Sequence, residues 1–270
     1  FREIGSRAFV NTPLSDYLRS DVPGSMRPVL MFRGSRYYFA PFTEFLSSLQ
    51  TGIPAREKVL GSGAFEYLRA DPEAERLFDE AMTAISALSA SAIAAIYEFG
   101  RWDTVTDVGG GKGALLAAIL RAHPSLHGVL ADAPTVVERS RRGEFLSGDL
   151  AARTRFESCD FFHAIPSGSR AFVMKNIIHD WNDAQAREIL RNCRRAVPDD
   201  GVLLLIEYCL GEDNTPAVGK MVDLVMLTIT GEKERTVDEH RTLLASAGFQ
   251  LNRAIPVSPK IRIIEAFPSP

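Results

Sequence analysis

The segment Thr104-Val-Thr-Asp-Val-Gly-Gly-Gly-Lys-Gly113 runs from β-branched residues through Asp107 into four glycines within five positions, and the apolar run Ala114-Leu-Leu-Ala-Ala-Ile-Leu120 follows at once. A strand that ends in such a turn and restarts as a helix presents bare backbone N–H groups and a helix N-terminus to a ligand. The spacing predicts a nucleotide pocket. Gly109, Gly111 and Ala114 fit the G-x-G-x-x-G/A pattern, and Asp132 lies at about the 20-residue offset where an acid meets a ribose hydroxyl. A phosphate loop does not fit, because Lys112 is followed by Gly113 instead of Ser or Thr. The spacing alone leaves two enzyme classes open, since a nicotinamide dinucleotide and other adenosine cofactors use the same turn.

The pattern around this turn predicts the fold class. From Trp102 onward, strand-like and helix-like segments alternate: Thr104 to Val108, 113 to 122, Leu126 to Ala131, 134 to 141, Thr154 to Glu157, Ala171 to Lys175, 183 to 196 and Val202 to Tyr208. Such alternation predicts an α/β, Rossmann-like doubly wound sheet whose ligands sit at the carboxyl ends of its strands. The tail changes character. Helices from Ala217 to Thr230 and Thr236 to Ala247, the second opened by the capping box Thr236-x-x-Glu239, precede Phe249 to Pro256 and Lys260 to Ala266. The last two segments are expected to pair as an antiparallel hairpin, which is unusual for a dinucleotide dehydrogenase.

Residues 1–98 are expected to form a partial, mostly helical N-terminal domain, and residues 99–270 the catalytic one. Phe1 to Asn11 reads as a hairpin cut from a winged-helix module, and the chain starts at Phe1 without Met, so a preceding segment is expected. Residues 21–71 read as loop-rich, punctuated by Pro23, Gly24, Pro28, Pro41, Gly52, Pro54, Gly61 and Gly63. Asp71-Pro72 then opens a long helix to about Glu98 with an apolar stripe of Leu77, Phe78, Ala81, Met82, Ile85 and Leu88.

Composition narrows the partners. A net charge of −3 with interspersed signs gives no basic stripe for nucleic acid or a membrane surface. Unbroken apolar runs fall short of the ~18 residues that a membrane span needs. Cys159, Cys193 and Cys209 form no C-x-x-C pair, which speaks against a zinc site or a disulfide framework and fits a reducing cytoplasm.

Acids fall at successive strand ends: Asp107, Asp132 and Asp160. Together they suit an amino-acid moiety, a ribose and an adenine, as in S-adenosylmethionine, better than a nicotinamide dinucleotide. The next strand runs into Ile177-Ile-His-Asp-Trp-Asn-Asp183, placing His179 at the carboxyl edge with an ordinary pKa near ~6.5, suited to a base. Glu207 ends the following strand, where its carboxylate is expected to orient one ring nitrogen.

The resemblance becomes specific in combination. Asp-Val-Gly-Gly-Gly-Lys-Gly113, Leu-Ala-Asp-Ala-Pro134, Cys-Asp-Phe-Phe162, Met-Lys-Asn-Ile-Ile-His-Asp-Trp181, Ile-Glu207 and Gly-Glu-Lys-Glu-Arg-Thr236 stand in the order and spacing of the caffeate-type small-molecule O-methyltransferases. The chain looks most like their bacterial members acting on polyketide, phenazine or similar aromatic metabolites. The likeness extends upstream through Phe-Glu-Tyr-Leu-Arg-Ala-Asp-Pro72 and Leu-Phe-Asp-Glu-Ala-Met82.

This resemblance implies the class I methyltransferase fold, S-adenosylmethionine as donor with S-adenosylhomocysteine as product, and no metal. It makes His179 the general base, flanked by Glu207 and Glu234. Asp132 becomes the ribose ligand, Asp160 and Phe161 the adenine contacts, Lys175 a cofactor contact, and Gly109 a loop contact, with Gly111 beside it in the glycine pattern. Asp180 falls near the acceptor oxygen, and Met82 and Met226 in the aromatic pocket. Phe161 replaces a methionine common in plant relatives. The family's N-terminal helices form an intertwined dimer, so a full-length version is expected to be a homodimer. A relative that binds the same cofactor without methylating, or a nicotinamide-dependent oxidoreductase, are the alternatives. On the residues alone, Glu232-Lys-Glu-Arg235 reads as a solvated run before a helix, and Asp180 or Asp183 as a cap for residues 183–196.

Overall fold

The computed structural model describes residues 1–211 and 214–269. Contacts divide the chain into two compact units, Phe1–Leu88 and Ser89 onward.

In the first unit, β1 (Arg2–Gly5) and β2 (Ala8–Val10) form the expected hairpin, with Arg2 opposite Val10. Its residues are almost all exposed, and a winged-helix origin is not established by this two-stranded ribbon. Residues 21–71 differ from the loop-rich expectation. After α1 (Pro13–Asp16) come α2 (Arg27–Arg33), α3 (Arg36–Phe39), α4 (Phe45–Thr51), α5 (Ala55–Leu60) and α6 (Ala64–Ala70). Pro23 and Gly24 lie in a turn as expected, but others mark helix ends: Pro28 sits in the first turn of α2, Pro54 caps α5, and Gly52 and Gly61 close α4 and α5 at φ 70° and 79°.

The long helix α7 (Pro72–Ile96) starts where Asp71 Oδ1 accepts the N–H groups of Glu73 and Ala74. Its stripe buries Ala74, Leu77 and Ala81 with Val29, Phe32, Tyr37 and Leu68, and Met82 packs at the margin of that cluster. Length and composition would let α7 cross a bilayer, but its first turns carry Glu73, Glu75, Arg76, Asp79 and Glu80, and its last turns bury Ala90, Ile93 and Ala94 in the second unit's core. It is a core helix.

The second unit is the doubly wound sheet. Its elements are β3 (Thr104–Val108), α8 (Ala114–Ala122), β4 (His127–Asp132), α9 (Pro134–Arg141), α10 (Asp149–Ala152), β5 (Thr154–Ser158), β6 (Ala171–Lys175), α11 (Asp183–Ala196) and β7 (Val202–Leu210). Then follow α12 (Val218–Ile229), β8 (Arg235–Thr236), α13 (Val237–Ala245), β9 (Phe249–Pro256) and β10 (Ile261–Pro268). Strand order is β5-β4-β3-β6-β7-β10-β9. The first five are parallel, β10 runs antiparallel to both β7 and β9, and β8 extends the end of β7 with Arg235 opposite Cys209.

Both faces of the sheet are covered, so its central strands read as continuous apolar runs instead of alternating ones. Val173, Leu204 and Ile206 pack with Leu116 and Ile119 on one face; Phe172, Leu203 and Leu205 pack with Ile189 and Leu190 on the other. Each such side chain contributes roughly 1.5–3 kcal/mol by burial. The chain winds outward from β3 to β5 and then returns to place β6 on the other side of β3, which opens the crevice at the carboxyl ends of β3 and β6.

Candidate active site

At the end of β3 the glycines divide the work. Gly109, Gly111 and Gly113 have φ of 70°, 57° and 81°, a region that side-chain-bearing residues avoid. A Cβ on Gly109 would lie 2.4 Å from Ile177 Cδ1, one on Gly110 2.5 Å from Leu130 Cδ1, and one on Gly113 2.4 Å from Leu146 Cδ1. A Cβ on Gly111 would meet nothing within 4 Å. Three glycines therefore let the loop lie flat on the protein, and the fourth faces outward. The Gly111 peptide is held from both sides: its N–H donates to Asp132 Oδ2 at 2.8 Å, and Ser140 Oγ donates to its carbonyl at 2.7 Å. Asp132 Oδ1 accepts the N–H of Ala133.

Asp107, at the root of the loop, is buried, and its Oδ2 has no hydrogen-bond partner among the described residues. Burial, aided by the Asp132 charge, pushes its carboxyl up to about 7. Lys175, at the end of β6, is pulled down to about 8 by burial despite the nearby Glu207 and Asp107 charges. An outward-facing glycine, a buried carboxylate oxygen with unused acceptor capacity and a second acid on the loop's N–H suit S-adenosylmethionine, whose amino-acid end is a donor and whose ribose carries hydroxyls.

Asp160 and Phe161 follow β5. Asp160 accepts the N–H of Phe162 at 2.9 Å and that of His163 Nδ1 at 2.8 Å, which holds its carboxyl below the usual range. Phe161 is half-buried, tilted against Phe162 and edge-on to Trp181, and its carbonyl accepts Asn192 Nδ2.

His179 sits on a one-turn 3-10 helix, Ile178–Asp180, just past β6. Its Nδ1 donates to Glu234 Oε1 at 2.8 Å, and its Nε2 lies 3.6 Å from Asp180 Oδ1. Glu207 does not take the ring nitrogen that its strand-end position suggested. Its Oε1 accepts the backbone N–H groups of Ile177 and Ile178, at 3.1 and 3.0 Å, and so fixes the turn instead. Burial pushes Glu207 up to about 7, with His179 opposing and Glu234 adding to the shift.

The His179 pKa also departs from expectation. Burial alone would lower it, but the Asp180 charge, the Glu234 hydrogen bond and the Glu207 and Glu234 charges outweigh burial and push it up to about 10. Donor atoms of His179, Glu207 and Glu234 lie within 4.8 Å of one another. Hydrogen bonds account for that approach: the Nδ1–H fills the space between the ring and Glu234, and Glu207 Oε1 is engaged by two peptides.

The cap expected of Asp180 or Asp183 belongs to Asn182, whose Oδ1 accepts the N–H groups of Ala184 and Gln185. Met226 is buried on α12, in the same helix as Asp223, whose Oδ1 accepts the Glu234 N–H at 2.8 Å. Asp223 and Arg235 are residues that the sequence reading did not single out.

A family model described as O-methyltransferase domain matches residues 43–250. The chain belongs to this O-methyltransferase family. The phenazine O-methyltransferase of Lysobacter antibioticus is 41% identical over 268 residues, covering 99% of this chain and 78% of that protein. The 8-amino-8-demethylriboflavin N,N-dimethyltransferase of Streptomyces davaonensis is 33% identical over 270 residues, 98% of this chain and 76% of that protein. Among solved structures, an O-methyltransferase from neocarzinostatin biosynthesis, in complex with S-adenosylmethionine and 2-hydroxy-5-methyl naphthoic acid, superposes with TM-score 0.83 at 34% identity over 95% of this chain and 77% of that one. Membership makes the chain an S-adenosylmethionine-dependent methyltransferase of the small-molecule, secondary-metabolite kind and removes the nicotinamide-dependent oxidoreductase alternative.

Proposed function

We propose that the enzyme methylates a hydroxyl of a small aromatic metabolite, phenolic, polyketide or phenazine-like, with His179 as general base. The observation that carries this reading is the hydrogen bond from His179 Nδ1 to the buried Glu234, which leaves Nε2 as the ring atom able to exchange a proton.

Gly109, Gly111, Asp132, Asp160, Phe161 and Lys175 would hold S-adenosylmethionine. When bound, it supplies an electrophilic methyl group on a sulfonium whose positive charge disfavours a second cation beside it. A phenol of pKa near ~10 keeps its proton at neutral pH, so the protein's chemical task is to remove it as the oxygen reacts. In this reading His179, raised to about 10 by its carboxylates, gives up its Nε2 proton when the donor's positive charge lies beside it; the hydroxyl proton then moves to Nε2, and Glu234 holds the tautomer and stabilises the imidazolium. Asp180 and Met226 would meet the acceptor. Positioned reactants gain ~7–11 kcal/mol over free encounter, and the protein's rigid turn serves that term too.

A panel of phenols, hydroxyphenazines and hydroxynaphthoates, incubated with the enzyme and S-adenosylmethionine, should contain one that gains a single methyl mass. A panel in which only amine acceptors gain mass would replace the hydroxyl reading with N-methylation, which the riboflavin-analogue relative performs by name. Cofactor binding with no methylated product anywhere would favour the non-methylating alternative.

Self-association is part of the same proposal. Phe9, Leu14, Phe39, Leu46 and Ile53 in the first unit are each more than half exposed, an apolar set that supports a homodimer. Sedimentation would test it. The three free cysteines support a reducing, cytoplasmic setting.

A further inference from the structure

Arg235 is 2% exposed and takes no part in the proton transfer, yet its guanidinium is spent almost wholly on the segment that carries His179. Its Nη1 donates to the Ile178 carbonyl at 3.0 Å and its Nη2 to the Trp181 carbonyl at 2.9 Å. Those two carbonyls bracket the turn Ile178–Asp180. Nε and Nη2 also donate to Asp183 Oδ1, at 3.1 and 2.7 Å, and so tie the start of α11 to the same fork.

Glu234 and Arg235 are consecutive and both are buried. One grips the imidazole of His179, the other the backbone beneath it. The pair is itself anchored, since the Glu234 N–H donates to Asp223 and Arg235 registers against Cys209 of β7. A solvated surface run has no need of this arrangement. A planar fork with fixed donor directions can hold two carbonyls and a carboxylate together; an ammonium cannot.

We propose that Arg235 is a positioning residue for methyl transfer, which locks the His179 turn so that the ring meets Glu234 and the acceptor hydroxyl in a single geometry. This rests on the reading of His179 as the base. The titratable groups that act on the ring are Asp180 on its own turn, Glu207 on β7, Glu234 just before β8 and His240 on α13, while Arg235, the first residue of β8, and Asp183 on α11 hold the turn's backbone.

The test is NMR titration of the His179 imidazole in the full chain, assigned by its loss in His179→Gln, for the wild type, Arg235→Lys and Asp183→Ala. A loosened turn weakens the Glu234 contact, so in folded Arg235→Lys the His179 midpoint should fall by about one pH unit or more. Asp183→Ala, at a half-exposed position, should shift it the same way by less and guards against a misfolded arginine variant. With 1,4-dihydroxy-2-naphthoic acid as acceptor probe, Arg235→Lys should lower kcat by ~10–10²-fold while KM for the cofactor stays within a few-fold. In a His179→Gln background the same change should add little.

An unmoved His179 midpoint in a folded Arg235→Lys protein would overturn the proposal, as would an equal loss of kcat in both backgrounds. Near-normal kcat in His179→Gln alone would instead remove the base reading, and a shifted midpoint in Arg235→Lys would then still report a positioned ring.

Discussion

Two neighbouring strand ends are built in opposite ways. The loop after β3 works by omission: Gly109, Gly110 and Gly113 let it lie on Ile177, Leu130 and Leu146, and the outward face at Gly111 is bare backbone. The turn after β6 works by accumulation, bringing Asp180, Glu207, Glu234 and Arg235 around one histidine from three segments of the chain. The loop is local and tolerates nothing added. The turn is non-local and tolerates nothing removed, because each buried charge there is held by the next.

The contrast is sharpened most by His179→Gln. Turnover should fall by ~10²–10⁴-fold with cofactor affinity barely changed, measured by product formation and calorimetry in parallel. A collapse of cofactor binding with turnover per bound cofactor intact would merge the two strand ends into one site and break the comparison.

The glycine loop should give the reverse pattern. In Gly109→Ala, left-handed backbone strain of ~1–2 kcal/mol adds to overpacking of ~1–3 kcal/mol against Ile177, so both melting temperature and cofactor affinity should drop clearly. Gly111→Ala has the strain without the clash, and should cost about 1 kcal/mol in chemical denaturation. Equal destabilisation by the two would show that the packing contacts of Gly109 are unimportant.

Asp132→Ala should weaken S-adenosylmethionine binding several-fold in calorimetry. Part of that loss comes through the Gly111 N–H, which Asp132 accepts, so Asp132→Asn should keep some affinity. Identical affinities in Asp132→Ala and the wild type would end its assignment to the ribose.

The smallest effects are pH-linked and belong to the charged turn alone. The folded His179 pKa of about 10 lies above the ordinary 6.5, so its stabilisation is full below pH 6.5 and is lost as pH rises through 10. Glu207 is raised from 4.5 to about 7, so its share is full below pH 4.5 and lost as pH rises through 7. Denaturation curves for His179→Gln and Glu207→Gln, each subtracted from the wild type across these windows, should show the two declines separately. No decline in either difference would mean that the charges around His179 are screened.

How much of this was readable varies by locality. The strand β3, the glycine turn, Asp132 and the hairpin of β9 and β10 are signalled by nearest neighbours, and the folded positions follow the pattern closely. Residues 21–71 misled because proline and glycine look alike whether they break a loop or cap a short helix; burial of Val29, Phe32 and Tyr37 against α7 is what tips such short segments into helices.

By itself the sequence determined the doubly wound sheet, the switch-point crevice and the glycine loop. These depend on backbone conformation and apolar period, which are properties of short stretches of chain. Only the tertiary structure decided which carboxylate serves which group. The resemblance makes Glu207 and Glu234 alike acids flanking the histidine, yet Glu207 meets two peptide N–H groups and Glu234 meets the imidazole. Arg235, on a run that reads as solvated, is drawn inside because two turn carbonyls and Asp183 supply partners for its donors. The ordinary pKa of a lone histidine likewise gave way to about 10 once three carboxylates, from positions 180, 207 and 234, converged on it. Charge interactions fall off with distance in space and are indifferent to distance along the chain, so their outcome is settled only when the sheet has folded.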